Sequence, residues 1–196
     1  MSRPSLRDNI LDAGLKAMFR TGYHGTSVRD VSTAAGAPIG SFTNHFRSKE
    51  AFASEVLERY FDHVRVLVAQ ALDEVSLTPR ARLRCYLEII SGKLEADGFA
   101  RGCLIGDLSL EASGSSELLR TQLDAIFAEW RVPFAACIRE AQASGEIAAD
   151  FDAEELAEFL LASWQGAMLR MKVERSGAAL ERFKKIAFQT VFKEPS

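Results

Sequence analysis

The segment from Pro38 to His45 combines small and polar side chains and contains no carboxylate. Hydrogen-bonding groups such as those of Ser41 and Asn44 suit base edges in a DNA major groove, where phosphates would repel an acid. Phe42 and Phe46 are four residues apart, so they share the opposite face of a helix about two turns long. The pattern predicts a short helix that reads DNA. The alternative is a polar surface turn between packing helices.

The elements that must position this segment form a helix, a turn and a second helix. Val28, Val31 and Ala35 fall at spacings of three and four, which places them on one face of the first helix. Gly36 can adopt the positive φ that is common after a helix end, and Pro38 suits the first turn of the next helix. The order is therefore that of a helix-turn-helix.

An amphipathic helix over residues 7–20, ended by Gly22 as a left-handed cap, completes a three-helix unit. Arg3 and Arg7 stand before it or open it. Basic groups at a helix start oppose the helix dipole, which favours a role outside the helix, such as contact with the DNA backbone. The alternative is that both arginines are simply solvated.

Several residue groups in this region resemble the DNA-binding signature of TetR-family transcriptional regulators: Thr26-Ser27-Val28-Arg29-Asp30-Val31, Gly36, Gly40-Ser41-Phe42, His45-Phe46 and Ser48-Lys49-Glu50. Apolar spacing and capping residues along the whole chain predict an all-α fold of about nine helices, and the length and helical pattern suit that family. The resemblance implies a DNA-binding domain over residues 1–47 and a helical effector-binding and dimerisation domain over residues 48–196. The family usually has tyrosine at the place of Thr43, whose hydroxyl has a shorter reach.

On this resemblance, two sets of residues contact DNA, one on phosphates and one on base edges. The predicted phosphate contacts are Thr26, Ser27, Thr43, His45 and Lys49. The predicted base contacts are Arg29, Ile39, Gly40, Ser41 and Asn44, with Pro38 opening the same surface.

The charge distribution supports a partner of negative charge at the amino-terminal end. The chain of 196 residues has a net charge of −3, but residues 1–47 contribute +3 and the remainder −6.

The three cysteines of the chain are too few and too scattered for a disulfide framework, and no apolar run is long enough to span a bilayer. We therefore expect a cytoplasmic protein. No cysteine pair has zinc-ligand spacing and the three histidines do not cluster with them, so we predict no metal and no cofactor.

The remainder of the chain reads as further helices with identifiable starts. Ser48, Ser116 and Asp152 are placed as caps, and Thr78 with Pro79 opens another helix. The last two helices are rich in apolar residues for a chain end, and in the resemblance they form a four-helix interface with a second subunit. The alternative is that they close a monomeric core. The predicted interface residues are Leu156, Phe159, Leu160, Ala167, Met168, Leu180, Phe183, Ile186 and Val191.

Aromatic side chains between the long helix predicted to begin at Ser48 and these last two helices are candidates to line an effector cavity. They are Phe61, Tyr86, Phe99, Phe127, Trp130, Phe134 and Trp164. The alternative is that they are plain core. TetR-like repressors release DNA when a small molecule binds in such a place, so the resemblance implies an effector, although no residue identifies the molecule.

Cys103 is a candidate sensor, because Arg101 and the free N–H groups of a helix start favour the reactive thiolate. The stretch from Gly102 to Glu111, with Trp164-Gln165-Gly166-Ala167 and Lys172 downstream, is similar to the branch that includes the N-ethylmaleimide-reductase repressor. That branch senses electrophiles or oxidants through the matching cysteine, with Lys172 as the nearby amine. The alternative is a buried cysteine that only packs.

These observations favour a homodimeric DNA-binding repressor that leaves a palindromic operator when a small molecule binds or Cys103 is modified. A helical ligand-binding protein without specific DNA affinity is the first alternative, because of the Thr43 departure. An enzyme with Cys103 as nucleophile is a weaker alternative, since no histidine is placed near it to act as base. We therefore predict no catalytic residues.

Overall fold

The computed structural model describes residues Ser5 to Glu194. Within that range all regular structure is helical, which confirms the predicted all-α class of about nine helices. The helices are α1 Leu6–Gly25, α2 Val28–Ala34, α3 Ile39–His45, α4 Lys49–Leu72, α5 Pro79–Ala96, α6 Leu104–Ala112, α7 Glu117–Ala143, α8 Ala153–Glu174 and α9 Ala178–Gln189.

Most helices begin where the sequence places a capping side chain. The hydroxyl of Ser48 accepts a hydrogen bond from Ala51 N at 3.0 Å, and that of Ser116 accepts one from Leu119 N at 3.1 Å. Asp152 caps α8 in the same way. The end of α1 differs from prediction: Gly22 breaks the helix with a φ of 71°, but one further turn follows, up to Gly25. This extra turn leads directly into α2.

Among the described residues, the first compact unit comprises Ser5 to His63 together with Leu104–Ile126. In it α1 packs against α2, α3 and α6. Its buried core includes Ile10, Met18, Val31, Phe52 and Phe61. The predicted domain boundary after residue 47 falls inside this unit, because residues 49–63 of α4 and the whole of α6 belong to it as well.

The second compact unit comprises Val64–Cys103 and the described chain from Phe127 to Glu194. Here α8 packs against α9, and α5 also contacts α9. Tyr86, Phe134 and Trp164 are among its largest fully buried side chains. Over the described part of the chain, no helix is long and apolar enough to cross a membrane.

Candidate DNA-binding surface and effector region

The turn between α2 and α3 has the geometry that its glycine and proline predict. Gly36 has a φ of 63°, and Pro38 is the residue before the first turn of α3. Ser27 caps α2 by accepting a hydrogen bond from Asp30 N at 3.1 Å. Because α3 has only seven residues, it depends on its neighbours for stability.

Three aromatic rings hold α3 in place. Phe42, Phe46 and Phe52 are 2%, 3% and 1% exposed, and their ring centroids lie 4.9–5.1 Å apart. Such edge-on and tilted pairs are favourable beyond the area that they bury. Gly14 of α1 lies against the ring of Phe52, where no larger residue fits. We call Phe42, Phe46 and Phe52 the aromatic triad.

The face of α3 opposite the aromatic triad is open to solvent. Ile39 is 54% exposed, and Ser41 is half-buried. The other predicted contact residues of this segment are exposed: Pro38, Gly40, Thr43, Asn44 and His45. The hydroxyl of Thr43 donates to Gly40 O at 3.0 Å. With Ser27 and Arg29 exposed on α2, the structure brings the predicted base contacts onto one helix-turn-helix.

Thr26 departs from its predicted role. It is only 4% exposed, and its hydroxyl donates to Gly22 O at 2.7 Å. The hydroxyl of Thr21 lies 3.2 Å away. The side chain is therefore hydrogen-bonded inside the protein, where it stabilises the connection between α1 and α2. It does not face solvent as a phosphate contact would.

Lys49, at the start of α4, is half-buried against the end of α1. Its ammonium donates to His24 O at 3.1 Å and lies 4.9 Å from the ring centroid of Tyr23. Burial lowers the pKa of Lys49, and the nearby Glu111 carboxylate opposes that shift. No local sequence pattern points to these contacts of Lys49, because Glu111 is far from Tyr23 and His24 along the chain.

The predicted DNA-backbone role of Arg7 competes with contacts inside the protein. Its guanidinium pairs with Glu55 of α4 and lies 5.6 Å from the ring centroid of Phe46. It therefore ties α1 to α4 and to the aromatic triad. Arg3, its predicted companion, lies outside the described residues.

Part of the predicted effector set forms one buried cluster in the second unit. Tyr86 and Phe134 meet edge to face at 4.9 Å, and Trp130 stacks with Phe127 at 6.4 Å. Burial raises the pKa of Tyr86 far above its usual range. The Cys103 thiol raises it further, whereas a hydrogen bond with Trp130 opposes the shift. Cys103 itself is 7% exposed and directly precedes α6.

The remaining predicted effector residues are in other surroundings. Phe61 is buried in the first unit, and Trp164 packs on Phe183 at 5.5 Å. Phe99 has a φ of 56°, and its ring lies against Gly177. Lys172 is half-buried near the end of α8. Among the described residues there is no group of three or more His, Cys, Asp or Glu side chains that could hold a metal ion.

The predicted dimer residues divide into two groups. Leu156, Leu160, Met168 and Leu180 are at most 5% exposed in the single chain, so they belong to its own core, and their predicted place in the interface is corrected. The others line a groove of about 330 Å³ formed by α8 and α9: Phe159, Ala167, Phe183, Ile186 and Val191. Phe159 is 45% and Ile186 54% exposed, so this groove presents apolar surface to solvent.

A short solvent-facing helix held by a three-helix core, joined to a larger helical unit, defines a helix-turn-helix DNA-binding regulator. Residues 10–56 match the family model for bacterial regulatory proteins of the tetR family. Residues 79–187 match the model for the tetracyclin repressor-like C-terminal domain. The chain belongs to the TetR family of transcriptional regulators, as its signature predicted.

Individual relatives agree with this assignment. The chain is 40% identical to the HTH-type transcriptional repressor DhaR of Mycobacterium sp. (strain GP1), over 97% of this chain and 94% of that protein. It is 30% identical to the HTH-type transcriptional repressor NemR of Escherichia coli (strain K12), over 89% of this chain and 88% of the other. A crystal structure of a TetR regulatory protein from Rhodobacter sphaeroides superposes with a TM-score of 0.88 at 36% identity. The superposition covers 93% of this chain and 97% of the Rhodobacter sphaeroides chain. The predicted likeness to the NemR branch is confirmed.

Proposed function

We propose that the protein is a homodimeric transcriptional repressor, which binds a palindromic operator and leaves it when an effector binds or when Cys103 is modified. It acts by binding rather than by catalysis, in the cytoplasm where a bacterial chromosome lies. The observation that carries the proposal is the acid-free, exposed face of α3, fixed from behind by the aromatic triad. Residues 1–47 together with Lys49 supply the DNA contacts, and the rest of residues 48–196 supplies effector binding and dimerisation.

The base and phosphate assignments have separable consequences. Asn44 and Arg29 lie on the exposed helix-turn-helix surface, where a base contact changes sequence preference. Lys49, at the edge of this surface, supplies charge, and a lost phosphate contact weakens all sequences alike. Ser27, Thr43 and His45 share the phosphate role, whereas Ile39, Gly40 and Ser41 share the base role.

A duplex enriched from random DNA by the wild-type protein tests these roles. Against that duplex and single-base variants of it, Asn44→Ala should change which base is preferred at one position of each half-site. Lys49→Met should lower affinity about equally for all of them. An equal loss on every duplex for Asn44→Ala would contradict the base contact. Failure of the wild-type protein to enrich any duplex would contradict the repressor proposal itself.

The groove between α8 and α9 is the surface proposed to join two subunits. A second copy related by a two-fold axis presents the same groove. The exposed apolar side chains of one subunit can therefore pack into the groove of the other. Two recognition helices then reach successive major grooves about 34 Å apart, which a single copy cannot do. Ile186→Arg puts a charge into this surface and should yield monomers in sedimentation at micromolar concentration. Val75→Arg, at a residue 91% exposed outside the groove, is the matched control and should leave the dimer intact. A monomeric wild-type protein would overturn this part of the proposal.

The cluster of Tyr86, Trp130, Phe134 and Cys103 is the proposed sensing region, with Lys172 as the amine assigned by resemblance. With 1,4-benzoquinone as probe, the Cys103 sulfur forms a bond to a ring carbon and the ring takes up the thiol proton, which gives a hydroquinone adduct. The modified protein should release its duplex, whereas Cys103→Ser should stay bound. Cys85→Ser removes a half-buried cysteine and serves as control. If quinone still releases Cys103→Ser, sensing by Cys103 is wrong.

A further inference from the structure

The end of α6 is hydrogen-bonded to the last turn of α1 through one acidic residue, Glu111. The carboxylate of Glu111 accepts a hydrogen bond from His24 N at 3.3 Å, and the His24 ring nitrogen Nε2 donates to Glu111 O at 2.9 Å. Gly22 leaves the room for this carboxylate: a Cβ there would lie 2.3 Å from Oε1 of Glu111. All these residues belong to the first compact unit.

The same turn holds the cation that opens α4. Lys49 donates to His24 O at 3.1 Å, on the residue whose N–H Glu111 binds. Its ammonium also lies over the ring of Tyr23, and the charge of Glu111 favours its protonated form. Glu111 therefore acts on Lys49 in two ways: through the peptide of His24 and through its own negative charge.

We propose that Glu111 is a positioning residue for operator binding, which holds the ammonium of Lys49 where a DNA phosphate can be met. The inference rests on the proposed repressor function and names a part of its machinery. Glu111 does not itself touch DNA, and its carboxylate would repel phosphate if it did. A carboxylate near DNA is expected to weaken binding, whereas Glu111 is proposed to strengthen it. Removing it weakens binding because Lys49 loses its support.

A double-mutant cycle between Glu111 and Lys49 tests the inference. Dissociation constants are measured by fluorescence anisotropy on the enriched duplex for the wild-type protein, Glu111→Ala, Lys49→Met and the double variant. Glu111→Ala should weaken binding about fivefold, near the lower end of ordinary coupling between linked sites. In the Lys49→Met background the same change should cost no more than about twofold, because the group that it positions is already gone. The slope of log binding constant against log salt concentration should also become shallower, by about one released counterion. The change should be the same for Glu111→Ala and for Lys49→Met.

Glu117→Ala is the matched control, since it removes a carboxylate of the same unit whose contacts are with Arg120 and Thr121. It should leave affinity unchanged or slightly raised. If Glu111→Ala lowers the urea midpoint, Glu111→Gln replaces it in the same cycle. Equal losses in both backgrounds, or tighter binding by the Glu111 variant, would overturn the positioning role. If the wild-type protein enriches no duplex, the repressor proposal fails instead, and the two failures are distinct.

Discussion

Gly14→Ala should destabilise the DNA-binding unit, although alanine is the better helix former. In an open helix the change gains about 1 kcal/mol. Here the new Cβ would lie 2.2 Å from Cζ and 2.9 Å from Cε1 of Phe52. That ring is 1% exposed and meets Phe42 and Phe46 at 4.9 Å each, so it has no free space to enter. Overpacking of this kind costs about 1–3 kcal/mol. Because the clash is close, we place it at the upper end and expect a net loss of about 2 kcal/mol.

Urea unfolding followed by far-ultraviolet circular dichroism measures this loss, with all variants at one protein concentration because association shifts apparent stability. Gly92→Ala is the matched control, since Gly92 lies inside α5 with open space at its Cβ position. It should gain about 1 kcal/mol. Adding Phe52→Leu to Gly14→Ala should recover part of the loss by removing the ring. A Gly14→Ala protein as stable as Gly92→Ala would refute the packing argument for the aromatic triad.

Other predictions follow from individual contacts. Burial raises the pKa of Cys137 to about 11, so its thiolate is scarce below that pH. Mass spectrometry should show slow alkylation by iodoacetamide at pH 8, slower than at the more exposed Cys85, with a rise only as the pH approaches 11. Lys184 is 1% exposed but pairs with Glu88 and Glu181, whose side chains are 51% and 68% exposed and can regain water. Lys184→Met should therefore lower the free energy of unfolding by only about 1 kcal/mol in urea, below the cost of breaking a fully buried pair. Asp152→Ala should cost about 1 kcal/mol in the same assay, because two N–H groups at the start of α8 lose their cap.

The helices could be predicted because their signals are local. Apolar spacing, capping side chains and the glycines that follow helix ends all act within a few residues, and Ser48, Ser116 and Asp152 cap as predicted. The continuation of α1 past Gly22 cannot be predicted locally, since a glycine with positive φ normally ends a helix. The last turn of α1, after Gly22, is held by hydrogen bonds between His24 and Glu111 of α6. No local sequence pattern contains this contact.

The candidate site could be predicted only as far as composition and motif reach. The exposed face of α3 followed from the spacing of its two phenylalanines. The inward turn of Thr26 did not, because a threonine suits a cap, a core contact and a phosphate equally well. On α8 and α9, periodicity marks which positions are apolar but not whether they meet their own chain or a second one. Periodicity therefore places Leu156 and Met168 in the predicted interface, although they are buried within the chain.

The arrangement separates the support for specificity from the support for affinity. The aromatic triad fixes α3, whose solvent-facing side contains no Lys, Arg, Asp or Glu and carries the proposed base contacts Ile39, Gly40 and Ser41. The turn at His24 fixes Lys49, a positive charge that attracts any duplex. On the proposed function, a change in the triad should alter stability and sequence preference together, because it moves the reading surface. A change at Glu111 should lower affinity on every sequence alike and leave the order of preference unchanged, because it moves only a charge.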